Sequence, residues 1–157
     1  MSSLNEPRVA ILTGSPNDLE VVRQAAHVLD KLGIASELKL MSAHRTPDLV
    51  LRYTRNARDR GIQVLIACAG MANHLAGVVA AHTCLPVIGV PLRSGALDGL
   101  DALLSTVQMP PGIPVASVGI DGAKNAAYLA ARILALGDPE IVKRIEADLA
   151  KQREKYE

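Results

Sequence analysis

Apolar residues in this chain fall into five short continuous runs, separated by stretches in which they recur at every third or fourth position. The runs Arg8–Thr13, Ala35–Leu40, Gln63–Ala67, Pro86–Val90 and Pro114–Val118 are bounded by Gly or Pro and predict strands. They lack the alternation of a sheet with one wet face, which suits parallel strands covered on both sides. Helical spacing predicts helices at Asp18–Lys31, Pro47–Arg60, Asn73–His82, Leu100–Val107 and Ala123–Leu136. In the first, Leu19, Val22, Ala26 and Leu29 mark one face, which Val21, Ala25, Val28 and Leu32 widen. A strand–helix alternation of this kind builds a doubly wound sheet. The chain of 157 residues is therefore expected to be one α/β domain over 1–157, a three-layer αβα sandwich around five parallel strands. Spacing does not set the strand order.

The last segment breaks the pattern. Between Pro139 and Tyr156, residues Ile141, Ile145, Leu149, Gln152 and Tyr156 form a thin stripe among charged neighbours. An extra C-terminal helix with so narrow a face needs a surface to lie on, and a neighbouring subunit is the expected one. Charge sharpens this contrast: 11 of the last 20 residues are charged, whereas 61–92 contains no Asp, Glu, Lys or Arg. Asn73, His74, Gly77, His82 and Pro86 interrupt the uncharged stretch, so it reads as strand, helix and strand rather than a membrane span. Its Ala- and Gly-rich character also suits surface buried by assembly. With 17 basic against 16 acidic residues, no overall field draws the protein to nucleic acid or membrane. The first residues lack a signal-peptide pattern, and Cys68 and Cys84 are expected as reduced core residues. A soluble cytoplasmic protein is the expectation.

Open α/β sheets bind ligands beyond the carboxyl ends of their strands. Three polar segments fall there: Gly14-Ser15-Pro16-Asn17-Asp18, Ser42-Ala43-His44-Arg45-Thr46-Pro47 and Ala69-Gly70-Met71-Ala72-Asn73-His74. In the first, Ser15, Pro16 and Asp18 suit the N-cap, N1 and N3 positions of a capped helix, and equally an anion site with a carboxylate beside it. No dinucleotide or Walker-type glycine pattern is present. In the second, Arg45 offers a planar fork to a phosphate, Ser42 a hydroxyl, and His44 a proton donor and acceptor near neutral pH. Thr46 and Pro47 suit the start of the next helix. In the third, Gly70 and Gly77 permit close backbone approach, and His74 serves either a ligand or a subunit contact. His27 and His82 occupy ordinary helical positions, and no His, Cys, Asp or Glu cluster has metal-site spacing.

These segments resemble the class I N5-carboxyaminoimidazole ribonucleotide mutase family from about Arg8 to Leu136. The match is carried by GSPND at 14–18, SAHRTP at 42–47, AGMANHLAG at 69–77, PVIGVP at 86–91, LDGLDALLSTVQMPPGIPV at 97–115 and KNAAYLAARIL at 124–134. The resemblance implies a flavodoxin-like subunit of a homo-octamer, with active sites near subunit boundaries. It implies that His44 is the catalytic acid and base, and that Ser15, Ser42 and Arg45 hold the nucleotide phosphate. Asp18 then engages the ribose hydroxyls. Gly14 and Ala43 complete the substrate contacts on that side. Ala69, Gly70, Met71, His74 and Leu75 surround the imidazole and carboxyl group. The QMP stretch at 108–110 corresponds to a structural loop near the site. The implied reaction moves a carboxyl group from the exocyclic nitrogen to a ring carbon through CO2 retained in the pocket, without ATP, biotin, metal or any other cofactor.

The sequence departs from that family pattern where Cys68, Met71, Asn73 and Ala76 replace Gly, Gly, Ala and Pro, and of these Met71 and Asn73 are expected to bear on pocket shape and CO2 retention. Ala102 stands where Ser is common, and the 121–124 loop is one residue shorter than in many members. Arg93 suits a ligand contact or a surface role. Relatives that carboxylate the aminoimidazole ribonucleotide directly typically carry Lys where this chain has Arg45 and lack the His74-type loop. A relative that carboxylates a pyridine nucleotide occurs as a fused domain. A noncatalytic nucleotide-binding scaffold would need the fold without Asp18, Ser42, His44 and Arg45 together.

Overall fold

A computed structural model describes residues 6–156. Five parallel strands, β1 (Val9–Thr13), β2 (Ser36–Leu40), β3 (Val64–Gly70), β4 (Val87–Leu92) and β5 (Ala116–Ser117), lie in the order β2-β1-β3-β4-β5. The helices are α1 (Leu19–Lys31), α2 (Pro47–Ala57), α3 (Leu75–Ala80), α4 (Leu100–Val107), α5 (Ala123–Ala135) and α6 (Pro139–Arg153). This is the flavodoxin-like winding, in which the order reverses beside β1. Successive residues of β1 divide between the two faces, as the pleat requires. Val9 and Ile11 join Ile66, Ile88 and Val90 beneath α1 and α5, while Ala10 and Leu12 join Leu65 and Ala67 beneath α2 and α3.

Helix α4 seats against β4 because Gly89 has no side chain. A Cβ there would stand 2.3 Å from Thr106 Cγ2 and 3.0 Å from Val115 Cγ1. Strand β5 is only two residues long rather than the expected five. It pairs with β4 through Ile88 and Gly89 alone, and Val118 then donates its N–H to the Gly89 carbonyl. Strands β3 and β4 run further than their apolar runs suggested, so Ala69 and Gly70 belong to the sheet and pair with Pro91 and Leu92. Helix α3 is correspondingly shorter than 73–82. Consecutive tight turns, with Asn73 N–H on the Met71 carbonyl and His74 N–H on that of Ala72, consume its first expected residues. Cys68 is buried as expected, but Cys84 is exposed, because the loop before β4 runs over the surface.

Helix α6 ends at Arg153, short of Tyr156, and its inner stripe is occupied within the chain. Ile141 and Ile145 enter the α1–α5 core. Helix α6 packs chiefly on α5, a surface that pattern counting does not reveal. Polar contacts fasten both ends of α6. Arg8 Nη1 reaches Asp138 Oδ2 at 2.8 Å before its first turn. Arg144 Nη1 donates to the Gly33 carbonyl at 3.2 Å. Further along, buried Asp148 accepts from Tyr128 Oη at 2.5 Å and Gln152 Nε2 at 2.8 Å, and pairs with Lys31. Val142 and Tyr156 point outward and are exposed.

The Lys31 ammonium, with the Tyr128 and Gln152 donors, holds the Asp148 carboxyl down at about 2. A carboxylate lowered in the folded state stabilises it above the ordinary range near 4 and loses that contribution as pH falls through the folded value. Asp148→Asn is therefore expected to lower Tm by about 2–4 °C at neutral pH. The gap from the unsubstituted protein should close as pH approaches about 2. Thermal melts across this range check it.

Candidate active site

The parallel register brings the ends of β1 and β2 level with Cys68, two residues before the end of β3, with Thr13 paired to both Leu40 and Cys68. The three polar segments emerge together there and line a cleft of about 540 Å³. Gly14, Ser15, Asp18, Ser42, Ala43, His44, Arg45, Ala69, Gly70, Met71 and Leu75 all contribute to its wall. Their local structure shows how each is held.

Ser15 caps a short 3-10 turn over Pro16–Asp18, its Oγ accepting from Asn17 N–H at 3.2 Å. Asp18 makes no reciprocal side-chain cap and lies at the start of α1. Its half-buried carboxyl is raised above the usual range, first by desolvation and then by the Asp121 charge, with Arg45 opposing. In the second segment Ser42 Oγ accepts from the N–H groups of His44 and Arg45 at 3.3 and 3.2 Å. Accepting both leaves the Ser42 O–H free to donate into the cleft. Thr46 occupies the N-cap position of α2 without capping it. Its hydroxyl instead turns back to the Ser42 N–H and carbonyl, at 2.8 and 3.2 Å, closing the loop upon itself. The Arg45 guanidinium crosses to the first segment and donates to the Gly14 carbonyl at 2.5 Å. The phosphate-suited groups of both loops thereby share one side of the cleft.

His74, predicted for the site, lies just outside the cleft's lining and closes on His44. His44 Nε2 and His74 Nδ1 are 2.7 Å apart, with rings edge to face at 79°. One nitrogen must carry the proton and the other a lone pair, so each ring fixes the tautomer of its partner. His74 stands on the first residue before α3, anchored by its neighbour Asn73. Asn73 is fully buried and faces away from the cleft, contrary to the expectation that it shapes the pocket. Its Nδ2 donates to Thr106 Oγ1 at 2.9 Å, and its N–H to Ser105 Oγ at 3.0 Å, pinning the loop to α4. Met71, by contrast, lines the cleft with φ of 52°, a left-handed backbone that costs an L-residue about 1–2 kcal/mol.

Asn17, Ala72 and Ser94 also line the cleft without having been singled out by sequence. Ser94 lies two residues past the end of β4, and applying the strand-end rule to that strand would have included it. Arg93, its neighbour, turns outward to Asp98 and Asp121. The QMP loop touches α3 through Met109, whose Sδ would lie 3.3 Å from a Cβ on Gly77. Among the described residues no group of three His, Cys, Asp or Glu side chains is placed to hold a metal ion, and no helix is long and apolar enough to cross a membrane.

A phosphate-suited loop pair, a neighbouring carboxylate and a coupled pair of histidines at the strand ends define a flavodoxin-like protein with a small-anion or nucleotide cleft equipped for proton transfer. Comparison with known proteins makes this specific. The family model for AIR carboxylase matches residues 8–155. The chain is 56% identical over 146 residues to the N5-carboxyaminoimidazole ribonucleotide mutase of Pyrococcus abyssi, covering 93% of this chain and 84% of that one. It is 54% identical over 140 residues to the Thermotoga maritima enzyme of the same name, covering 89% and 82%. Among solved structures it matches Treponema denticola PurE with a TM-score of 0.86 at 34% identity, covering 96% of this chain and 94% of that one. The chain belongs to the AIR carboxylase family.

Gly70 packs closely against the segment that follows β4. A Cβ there would stand 2.8 Å from Ser94 Cβ and 3.3 Å from the Leu92 carbonyl oxygen. Gly70→Ala is expected to cost about 1–3 kcal/mol in overpacking. Adding Ser94→Gly should recover most of that loss, and a double-mutant cycle in urea measures the recovery.

Proposed function

We infer that this chain is an N5-carboxyaminoimidazole ribonucleotide mutase, an isomerase of purine biosynthesis that forms the 4-carboxy-5-aminoimidazole ribonucleotide. The observation that carries this reading is the His44–His74 contact at 2.7 Å, at the edge of a cleft that His44 lines together with Ser42 and Arg45. Ser15, Ser42 and Arg45 receive the phosphate, with Gly14 and Ala43 supplying backbone around it. Asp18 accepts from the ribose hydroxyls. Ala69, Gly70, Met71, His74 and Leu75 face the imidazole and the migrating carboxyl group.

The bond between nitrogen and the carboxyl carbon breaks with its electron pair left on nitrogen, releasing CO2. The enamine-like ring carbon then attacks CO2 to form the new carbon–carbon bond. His44 takes the surplus proton from that carbon, and a proton returns to nitrogen, so the reaction balances without oxidant, reductant or nucleotide triphosphate. His74 is suited to hold the His44 imidazole in the tautomer this needs. Confinement supplies the rest, because CO2 kept beside the ring is attacked before it diffuses away. His44 and His74 are both exposed in the single subunit. Closure from a neighbour in a homo-octamer fits this opening, and the outward Leu97, Leu100, Leu104 and Val107 offer an apolar face for assembly. A cytoplasmic location accords with two free cysteines, Cys68 and Cys84.

The test is conversion of freshly made N5-carboxyaminoimidazole ribonucleotide without ATP or added bicarbonate. The expected result is reversible formation of the 4-carboxy product, slowed by about 10²–10⁴ in His44→Asn. Carboxylation of the decarboxylated nucleotide by added CO2, without conversion of the N-carboxylated one, would instead mark a direct carboxylase. Silence in both assays would leave a scaffold. The acid limb of substrate binding should lie above the ordinary carboxylate range, since Asp18 protonates at higher pH than usual. Asp121→Asn removes one of the charges that raise it, and should move that limb of the pH–KM profile downward.

A further inference from the structure

We propose that Ser105 is a positioning residue for the histidine pair, acting from α4 through the backbone of the third loop, an inference that rests on the mutase reading above. Ser105 Oγ accepts from the Asn73 N–H at 3.0 Å. It donates to the Asp101 carbonyl, one helical turn back, at 2.7 Å, with the Ala102 carbonyl at 3.2 Å. The donated bond orients the hydroxyl, which leaves a lone pair aimed at the loop. One side chain thus ties the backbone of α4 to the residue that precedes His74. Ser105 does not line the cleft, so any effect on the chemistry must pass through the protein.

The loop needs that support. Its own hydrogen bonds, Asn73 N–H on the Met71 carbonyl at 2.8 Å and His74 N–H on that of Ala72 at 2.9 Å, each close a turn of only three residues. Among the described residues, Ser105 supplies the one hydrogen bond from another element to the backbone of residues 72 and 73. Helix α4 is itself fixed where Thr106 seats on Gly89 of β4. The path therefore runs from the sheet through α4 and Ser105 to the start of α3, where His74 Nδ1 meets His44 Nε2 at 2.7 Å. A shift of about 0.5 Å would take that contact to the long end of the hydrogen-bond range and release the tautomer of His44. Asn73 also fastens its side chain to Thr106, but the Ser105 contact uses the backbone N–H alone. It is available whatever residue stands at 73, the Ala of the pattern this sequence resembles included.

The experiment measures kcat and KM for conversion of N5-carboxyaminoimidazole ribonucleotide, alongside Tm, in a double-mutant cycle of Ser105→Ala and His74→Ala. Ser105→Ala is expected to lower kcat about tenfold and leave KM within about twofold, because the lost alignment concerns the proton-transfer pair and not the phosphate side. Placed in His74→Ala, the same substitution should lower kcat by less than about twofold, while its cost in Tm persists. Asn73→Ala keeps the backbone contact, and should hold kcat within about twofold of the unsubstituted protein while lowering Tm. A merely structural Ser105 would lower Tm and leave kcat alone. That result, with conversion by the unsubstituted protein intact, overturns this inference and spares the mutase reading. Losses in kcat that multiply in the double variant overturn it as well, and so does a loss in Asn73→Ala equal to that in Ser105→Ala. Absence of conversion by the unsubstituted protein overturns the mutase reading and this inference with it.

Discussion

The site depends on the alignment of parallel strands. The parallel ladder keeps paired residues level, so β1 and β2 end at Thr13 and Leu40 beside Cys68, and β3 and β4 end two residues further on at Gly70 and Leu92. Loops of very different composition are thereby delivered to one edge without any side chain having to find another across the molecule. A slip of one residue between β1 and β3 would turn the core residues of one face to the other. The two-sided apolar core forbids it. The packing that stabilises the fold is thus also what keeps Arg45 within reach of Gly14 and His44 within reach of His74.

Much of this was legible from residue patterns, for a physical reason. A strand buried on both faces must be apolar throughout, and its helices must carry a stripe, so element type is written locally. Helix α4 agrees residue for residue with its pattern at Leu100–Val107. The polar exceptions at strand ends likewise marked Ser15, Asp18, Ser42, His44 and Arg45 as a group. Boundaries set by tertiary contact were less visible. Ala69 and Gly70 look like loop by composition, yet they are strand because β4 supplies partners to both. The surface that receives Ile141 and Ile145 is made by several elements packed together, chiefly α5, which no single segment encodes. Asn73 shows the same limit, since only the placement of Thr106 and Ser105 makes it an anchor rather than a pocket residue.

Substitutions within one short loop can therefore have opposite meanings. Asn73 and Met71 lie two residues apart, and both depart from the glycine- and alanine-rich pattern the sequence resembles. One binds inward to α4 and holds His74 in place through the backbone. The other stands outward in a conformation its side chain disfavours. Rigidity behind the cleft and adaptability at its edge are separated by two peptide units. The hydroxyl of Thr46 plays a comparable supporting part in the second loop, where it stiffens Ser42 instead of capping α2.

The two thiols give this protein a built-in pair of chemical reporters. Cys84 is exposed before β4, at the end of the sheet opposite the cleft, beside Arg58 and Leu85. Cys68 lies fully buried in β3 directly beneath the site, its thiol pushed far up by desolvation. Thiol-reactive dyes therefore meet one ready attachment point in the folded subunit, remote from the chemistry. Modification of the second thiol requires the central strand to part from its neighbours, so its rate times the opening of the sheet itself.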